Sequence, residues 1–343
     1  MKSNNTITGW EVSIENESHD KKTRMQLSRR EIRASLVSLA ILVLVGLLGY
    51  WLANCPFEGT IRISSPAILA KGWTKSTWGI AWEVVLFAII FEFLDSTAGM
   101  GYGTAFTPLL LVMGYDPMQI VPVIMIQQAC AGLTSAYMHQ EYGNIEWKIK
   151  PLSESVKLWL IIAGAGSLAT IFSITSVYAL LKLANVWIKL YVIILLITMG
   201  LISLIKATST YKYRPQRMIF FGALAGLNKG IGGGGYGPVL TIGGILSGIP
   251  VKSMIAVTAL SEGTVCVTSI IIWAILMNAG LGIDFVLLPS MMIGSVLAVL
   301  AAPYVVRVLP EKRWKVFIPI YCLLLASISL WKLWPTIYAI LLA

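Results

Sequence analysis

The sequence predicts an all-α fold: a polytopic transmembrane helix bundle with two inverted repeats and Gly-rich broken or re-entrant helices. Three observations lead there. Hydrophobic residues make up 57% of 343, the mean hydropathy is +0.79, and only 12% of residues are charged. A water-soluble fold could not hide so much apolar surface, and apolar runs beyond about 18 residues recur, the length a membrane-crossing helix needs. The second observation is a glycine-rich break that occurs twice, 134 residues apart: Gly99-Met100-Gly101-Tyr102-Gly103 and Gly233-Gly234-Gly235-Tyr236-Gly237. Without a gap, the same offset pairs Asp95 with Lys229, Gly114 with Gly248, and Gln128 with Glu262. Third, each break is followed by an apolar piece too short to cross a bilayer.

Residues 1–32 form a polar tail, with Lys21, Lys22, Arg24, Arg29 and Arg30 just ahead of the first apolar run at 34–53. That run is long and lacks a small-residue cleavage site, so it reads as an uncleaved first helix with the tail cytoplasmic. This extra helix and an external loop occupy 33–77. Further apolar segments lie near 78–97, 104–115, 118–138, 154–180, 185–206, 218–228, 238–248, 252–278, 283–306 and 316–341. The segments 104–115 and 238–248 rise about 1.5 Å per residue, which covers only about half of a ~30 Å hydrocarbon core. The stretches 83–115 and 218–248 therefore read as pairs of helix pieces that meet at a Gly-rich tip, as re-entrant hairpins. The alternative is that each piece crosses fully in a thinned or strongly tilted arrangement. Either count gives an odd number of crossings per repeat, which inverts the second repeat relative to the first. The first repeat spans 78–206 and the second 207–343, with 78–206 expected to superimpose on 212–340.

Charge sets the orientation. Lysine and arginine outnumber acids 26 to 16, but the basic residues gather between apolar segments, as positive-inside sorting requires, so no nucleic-acid partner is implied. The N-terminus, the linker with Lys206, Lys212, Arg214 and Arg217, and the linker with Arg307, Lys312, Arg313 and Lys315 are basic; the linker 139–153 is mixed. A cytoplasmic N-terminus in the plasma membrane places all four inside and the Asp284 linker outside, while Arg62, Lys71 and Lys75 oppose this scheme. Cys55, Cys130, Cys266 and Cys322 stand singly, without metal-ligand spacing, so no disulfide framework, metal or cofactor is expected. With no His/Cys cluster, Ser–His pairing or nucleotide motif, no catalytic residue is assigned and the chain does not read as an enzyme.

Glycine adopts positive φ at no steric cost and lets backbone or ligand approach closely. A new helical piece starts after each Gly run, so free N–H groups and the positive helix end point into the tip, and two such ends make an anion site. Matched breaks in two halves of a chain point to a transporter's binding site. The competing reading is tight helix crossing of the small-xxx-small kind. Charges within such segments are costly and usually face a cavity. One central cavity is expected to draw Asp95, Thr97, Gly99, Gly101, Gly103, Thr104 and Gln128 from the first repeat. Lys229, Gly233, Gly234, Gly235, Thr258, Ser261 and Glu262 complete it from the second. Either Lys229 neutralises an anion while Glu262 or Asp95 titrates or orients it, or Lys229 pairs with Asp95 or Glu262 and holds the halves together. Glu92 lies one turn before Asp95. Glu83, Asp116 and Asp284 read as solvated groups near helix ends, and His139 as structural.

The chain resembles the sulfite exporter TauE/SafE family, also called toluene-sulfonate uptake permeases, over roughly 78–335. The resemblance rests on Asp95-Ser96-Thr97-Ala98 with the first Gly motif, on His139 through Gly143-Asn144-Ile145-Glu146-Trp147, and on Gly232 through Pro238 with Ser261-Glu262. It implies secondary transport of a small anionic organosulfur substrate, such as sulfite or a sulfonate, by alternating access within a lipid bilayer. Relatives often carry acids where Gln128 and Lys229 stand. A neutral and a basic group there favour anions and weaken the case for proton coupling through those two positions. Proton or sodium coupling and a homo-oligomeric state stay open. The alternatives are an anion channel or a transporter of another small anion, such as a carboxylate.

Overall fold

The computed structural model describes residues 26–54, 59–61, 80–181, scattered positions of 190–205, and 215–341. The tail before residue 26, the loop with Arg62, Lys71 and Lys75, the basic stretch with Lys206, Lys212 and Arg214, and much of the expected segment 185–206 lie outside the described residues. The described helices are α1 (Arg29–Asn54), α2 (Trp82–Ala98), α3 (Thr107–Val112, preceded by a π turn at Tyr102–Phe106), α4 (Pro117–Glu141), and α5 (Glu154–Ile174, extended by a π turn at Thr175–Leu181). They continue with α6 (Pro215–Gly232), α7 (Tyr236–Leu246), α8 (Val251–Asn278), α9 (Leu288–Val308) and α10 (Glu311–Leu341). Helices α1, α4, α5, α8 and α9 are long and apolar enough to cross a membrane. The fold is an all-α polytopic bundle, as expected.

Local chemistry explains the ends. Asp116 caps α4 by accepting from the Met118 N–H at 2.8 Å, Gln119 accepts from the Asp116 N–H at 3.0 Å, and Pro117 occupies the first turn. Ser153 caps α5 through the Val156 N–H. Gly99 ends α2 in the left-handed region, with φ of 68°.

Helix boundaries repeat at the 134-residue offset. Ala98 and Gly232 end α2 and α6, Tyr102 and Tyr236 open the next pieces, and Val112 and Leu246 close them. Pro117 and Val251 open α4 and α8, and α5 and α9 match at both ends. Backbone strain matches too: Gly99 and Gly233 have φ of 68° and 72°, and Gly114 and Gly248 have 93° and 91°.

Side-chain contacts sort the helix ends onto two faces. One face gathers the start of α1 and the ends of α4 and α9, through Arg30–Glu141 at 2.8 Å and Arg307–Glu31 at 2.7 Å. The start of α8 joins it through Lys252 Nζ donating to the Arg307 carbonyl at 3.4 Å. The other face gathers residues 59–61, the start of α4 and the loop before α9: the Ile61 N–H donates to Ile283 O at 3.0 Å, and Gln119 Nε2 to Asp284 Oδ2 at 2.8 Å. Helices α4 and α8 therefore run in opposite directions although the offset makes them counterparts. Asp284, expected to be solvated, is buried because Gln119 and the Val286 N–H both bond its carboxylate.

Helices α4 and α8 form the centre, with 67% and 61% of their apolar windows buried against 17% for α1. They touch where both are glycine: a Cβ on Gly132 would sit 2.7 Å from Ala259 O, and one on Gly263 would sit 2.9 Å from Leu133 N. Around this pair, α2 packs on α9 and α6 on α5. Helix α1 buries only a stripe including Ala34, Ser38, Leu42 and Gly49, while Leu36, Leu44, Leu47 and Trp51 face outward, as a lipid-facing helix requires.

Candidate functional site

The two Gly-rich tips meet. Helix α2 enters from the second face, where the Ala81 N–H donates to Ser290 Oγ at 2.9 Å. Helix α6 enters from the first, where Met218 clusters with Ile145 and Leu158. At the meeting point the backbones are in direct contact: a Cβ on Gly103 would strike the Gly233 carbonyl, one on Gly234 the Gly103 carbonyl, and one on Gly237 the Gly99 carbonyl. The contact of Gly103 with Gly233 maps onto that of Gly237 with Gly99 under the 134-residue offset. Thr104 Oγ1 accepts from the Gly235 N–H at 3.1 Å, and Thr241 Oγ1 donates to Gly99 O at 3.0 Å. These glycines, with Gly101 beside Tyr321, serve close packing in this conformation. The tip amides are engaged as well, because the Tyr102 N–H donates to Asp95 Oδ1 at 3.0 Å and the Gly99 and Gly233 N–H groups cap their own helices.

Beside the tips lies a small cavity with room for about one water molecule. Of the residues expected from sequence, Asp95, Gly99, Gln128, Thr258 and Glu262 line it. Lys229 adjoins the cavity, fully buried, and its ammonium donates to Glu262 Oε1 at 2.7 Å and to Gln128 Oε1. Gln128 Nε2 in turn faces Asp95 Oδ2 at 3.4 Å. A chain Asp95–Gln128–Lys229–Glu262 thus joins the two halves, and the ion pair is Lys229 with Glu262. Thr97 turns back to the Phe93 and Leu94 carbonyls of its own helix, and Ser261 is buried without lining the cavity.

Sequence reading left out Glu92, Ser96, Ala131, Gly132, Ser135 and Ala259, which also line the cavity. A signal existed. Positions 92, 95, 96 and 99 share one helix face, as do 128, 131, 132 and 135, so each residue already chosen pointed to its neighbours one turn away. Glu92 accepts from Ser96 Oγ at 2.8 Å and from Gln127 Nε2 at 2.7 Å. His139 is buried, with Nε2 3.3 Å from Ser96 O and Nδ1 3.0 Å from Asn144 Nδ2, and Asn144 also donates to Pro303 O. That network fastens the end of α4 to α2 and α9. Among the described residues no three His, Cys, Asp or Glu side chains come together as a metal site.

The family model described as sulfite exporter TauE/SafE matches residues 84–330. A Bacillus subtilis (strain 168) protein described as "Probable membrane transporter protein YtnM" is 26% identical over 171 residues, covering 46% of this chain and 53% of that protein. The chain thus spans about half the length of that relative. No solved structure matches.

Proposed function

Because the chain belongs to the sulfite exporter TauE/SafE family and is a multi-pass membrane transporter, we propose that it moves a small sulfur-containing anion, sulfite or a sulfonate, across the plasma membrane by alternating access. The observation that carries this reading is the cavity at the meeting point of two matched helix breaks, lined from both halves of the chain. In this proposal the halves 78–206 and 207–343 are inverted repeats, and their hairpins enter from opposite faces toward one shared site. A sulfur oxyanion is larger than the one water the cavity admits, so it enters only when the hairpins part. Parting releases the Gly235 and Tyr102 N–H groups from Thr104 and Asp95, and the freed amides, with Lys229, Gln128 and Thr258, then face the anion. Such closely packed tips speak against an open channel.

The test is uptake by the full chain reconstituted in liposomes. Sulfite or toluenesulfonate should be taken up saturably and accelerated by the same anion preloaded inside, which a channel does not show. Saturable uptake of a carboxylate, with no response to either sulfur anion, would refute the substrate assignment.

A further inference from the structure

An anion entering the cavity meets the carboxyls of Glu92, Asp95 and Glu262, and of these only Glu262 has an ammonium partner, in Lys229. Glu92 and Asp95 form no ion pair among the described residues. Each of their four oxygens accepts a hydrogen bond: Glu92 from Ser96 Oγ and Gln127 Nε2, Asp95 from the Tyr102 N–H and Gln128 Nε2. All four oxygens accept, and each keeps a further lone pair free for another partner. Two buried carboxyls without an ion-pair partner favour whatever brings positive charge to them, a proton or a metal cation.

A second observation points into the same space. Ser135 lines the cavity and is 1% exposed, and its hydroxyl has no hydrogen-bond partner. A buried hydroxyl without a partner is costly unless something occupies its lone pairs. The offset adds a comparison. At the places of Glu92, Asp95 and Ser135, the second half carries Gly226, Lys229 and Ser269, and there Ser269 Oγ is satisfied by the Val265 carbonyl at 2.8 Å. The second half supplies its own fixed cation, Lys229; the first half has two carboxyls and an unpartnered hydroxyl there.

We propose that this cavity binds sodium as the co-transported ion, held by Glu92, Asp95 and Ser135. The inference rests on the transport reading above. Oxygen ligands suit a hard cation, and room for one water-sized body suits a dehydrated monovalent ion rather than magnesium, which keeps its waters. One sodium in this place reduces the negative charge that an incoming anion meets, so that sodium and the anion each favour binding of the other.

The full chain is purified without any sulfur anion and melted in sodium, potassium or choline chloride at one ionic strength. Sodium should raise the melting temperature saturably and the other two should not. Ser135→Ala breaks no protein hydrogen bond, so it should melt like the wild type in choline yet bind sodium about tenfold or more weakly. Glu92→Gln should abolish the sodium response. Identical melting in all three salts would overturn the proposal, as would a response to pH with no sodium preference, which would make the occupant a proton. Sodium binding by a protein that transports no sulfur anion would refute the transport reading alone. Anion uptake indifferent to sodium would refute the coupling alone.

Discussion

At Lys229 a single side chain carries the link between the halves. Its ammonium is fully buried and donates to Glu262 and Gln128. Removing it leaves Glu262 as an unpaired buried carboxylate, which costs on the order of 3–5 kcal/mol. Lys229→Met should therefore lower folded yield and melting temperature, and Lys229→Met combined with Glu262→Gln should recover most of the loss. Thermal melts in detergent decide it: a single variant as stable as the wild type would deny the pair any structural weight. The sequence offset brought Lys229, Asp95, Gln128 and Glu262 into one neighbourhood but left the partner of Lys229 open. Register along a helix follows from spacing, whereas the choice between two carboxylates depends on which lies within reach across an interface, and Gln128 stands between Lys229 and Asp95. Gly103 gives a second test at this scale. A Cβ there would strike the Gly233 carbonyl, so Gly103→Val should prevent the tips from docking and lower both stability and transport. Gly164 is the control, since a Cβ at that helical, exposed position meets nothing within 4 Å. Gly164→Ala should be neutral or stabilise by about 0.5–1 kcal/mol.

Among the helices, the half-length pieces were the most legible, because an apolar run that stops near a dozen residues cannot cross and a Gly run beside it supplies the turn. The 104–115 and 238–248 segments became α3 with its π turn and α7. Less legible was the end of each element. Asp284 reads as solvated because a lone acid in a short linker usually is; only the return of that loop to the start of α4 gives it Gln119 as a partner. Asp116 therefore organises more than its own helix: its capping box holds Gln119, and Gln119 holds Asp284. Asp116→Ala should cost about 1 kcal/mol by loss of the cap. Asp116→Asn keeps a capping oxygen and should cost less, which a pair of melting curves would show. Equal melting of both variants with the wild type would mean the cap contributes nothing to this helix start.

For the whole molecule, the strongest argument is that contacts exchange between the halves. Helix α2 of the first half packs on α9 of the second, and α6 of the second packs on α5 of the first, while α4 and α8 pack on each other. The longer helix of each hairpin is thus buried against the opposite half. The cavity, however, is one-sided. Its lining includes Ala131, Gly132, Thr258 and Ala259, and the positions related to them by the offset hold Val265, Cys266, Ile124 and Met125, which are bulkier and apolar. This difference is one of residue type and holds in any conformation, so it does not bear on inversion; the direction of the two halves in the membrane is the decisive measurement for the transport proposal. In a variant freed of its four cysteines, Lys148→Cys marks the linker between α4 and α5, and Asn278→Cys marks the matching linker between α8 and α9; both positions are exposed. Inverted repeats require these linkers on opposite sides. A cytoplasmic N-terminus requires Asn278→Cys to react with an impermeant maleimide in intact cells, and Lys148→Cys to react only after permeabilisation. The reverse pattern would keep the inversion and overturn the orientation. Labelling of both from the same side would overturn the inverted-repeat proposal, and with it the shared central site.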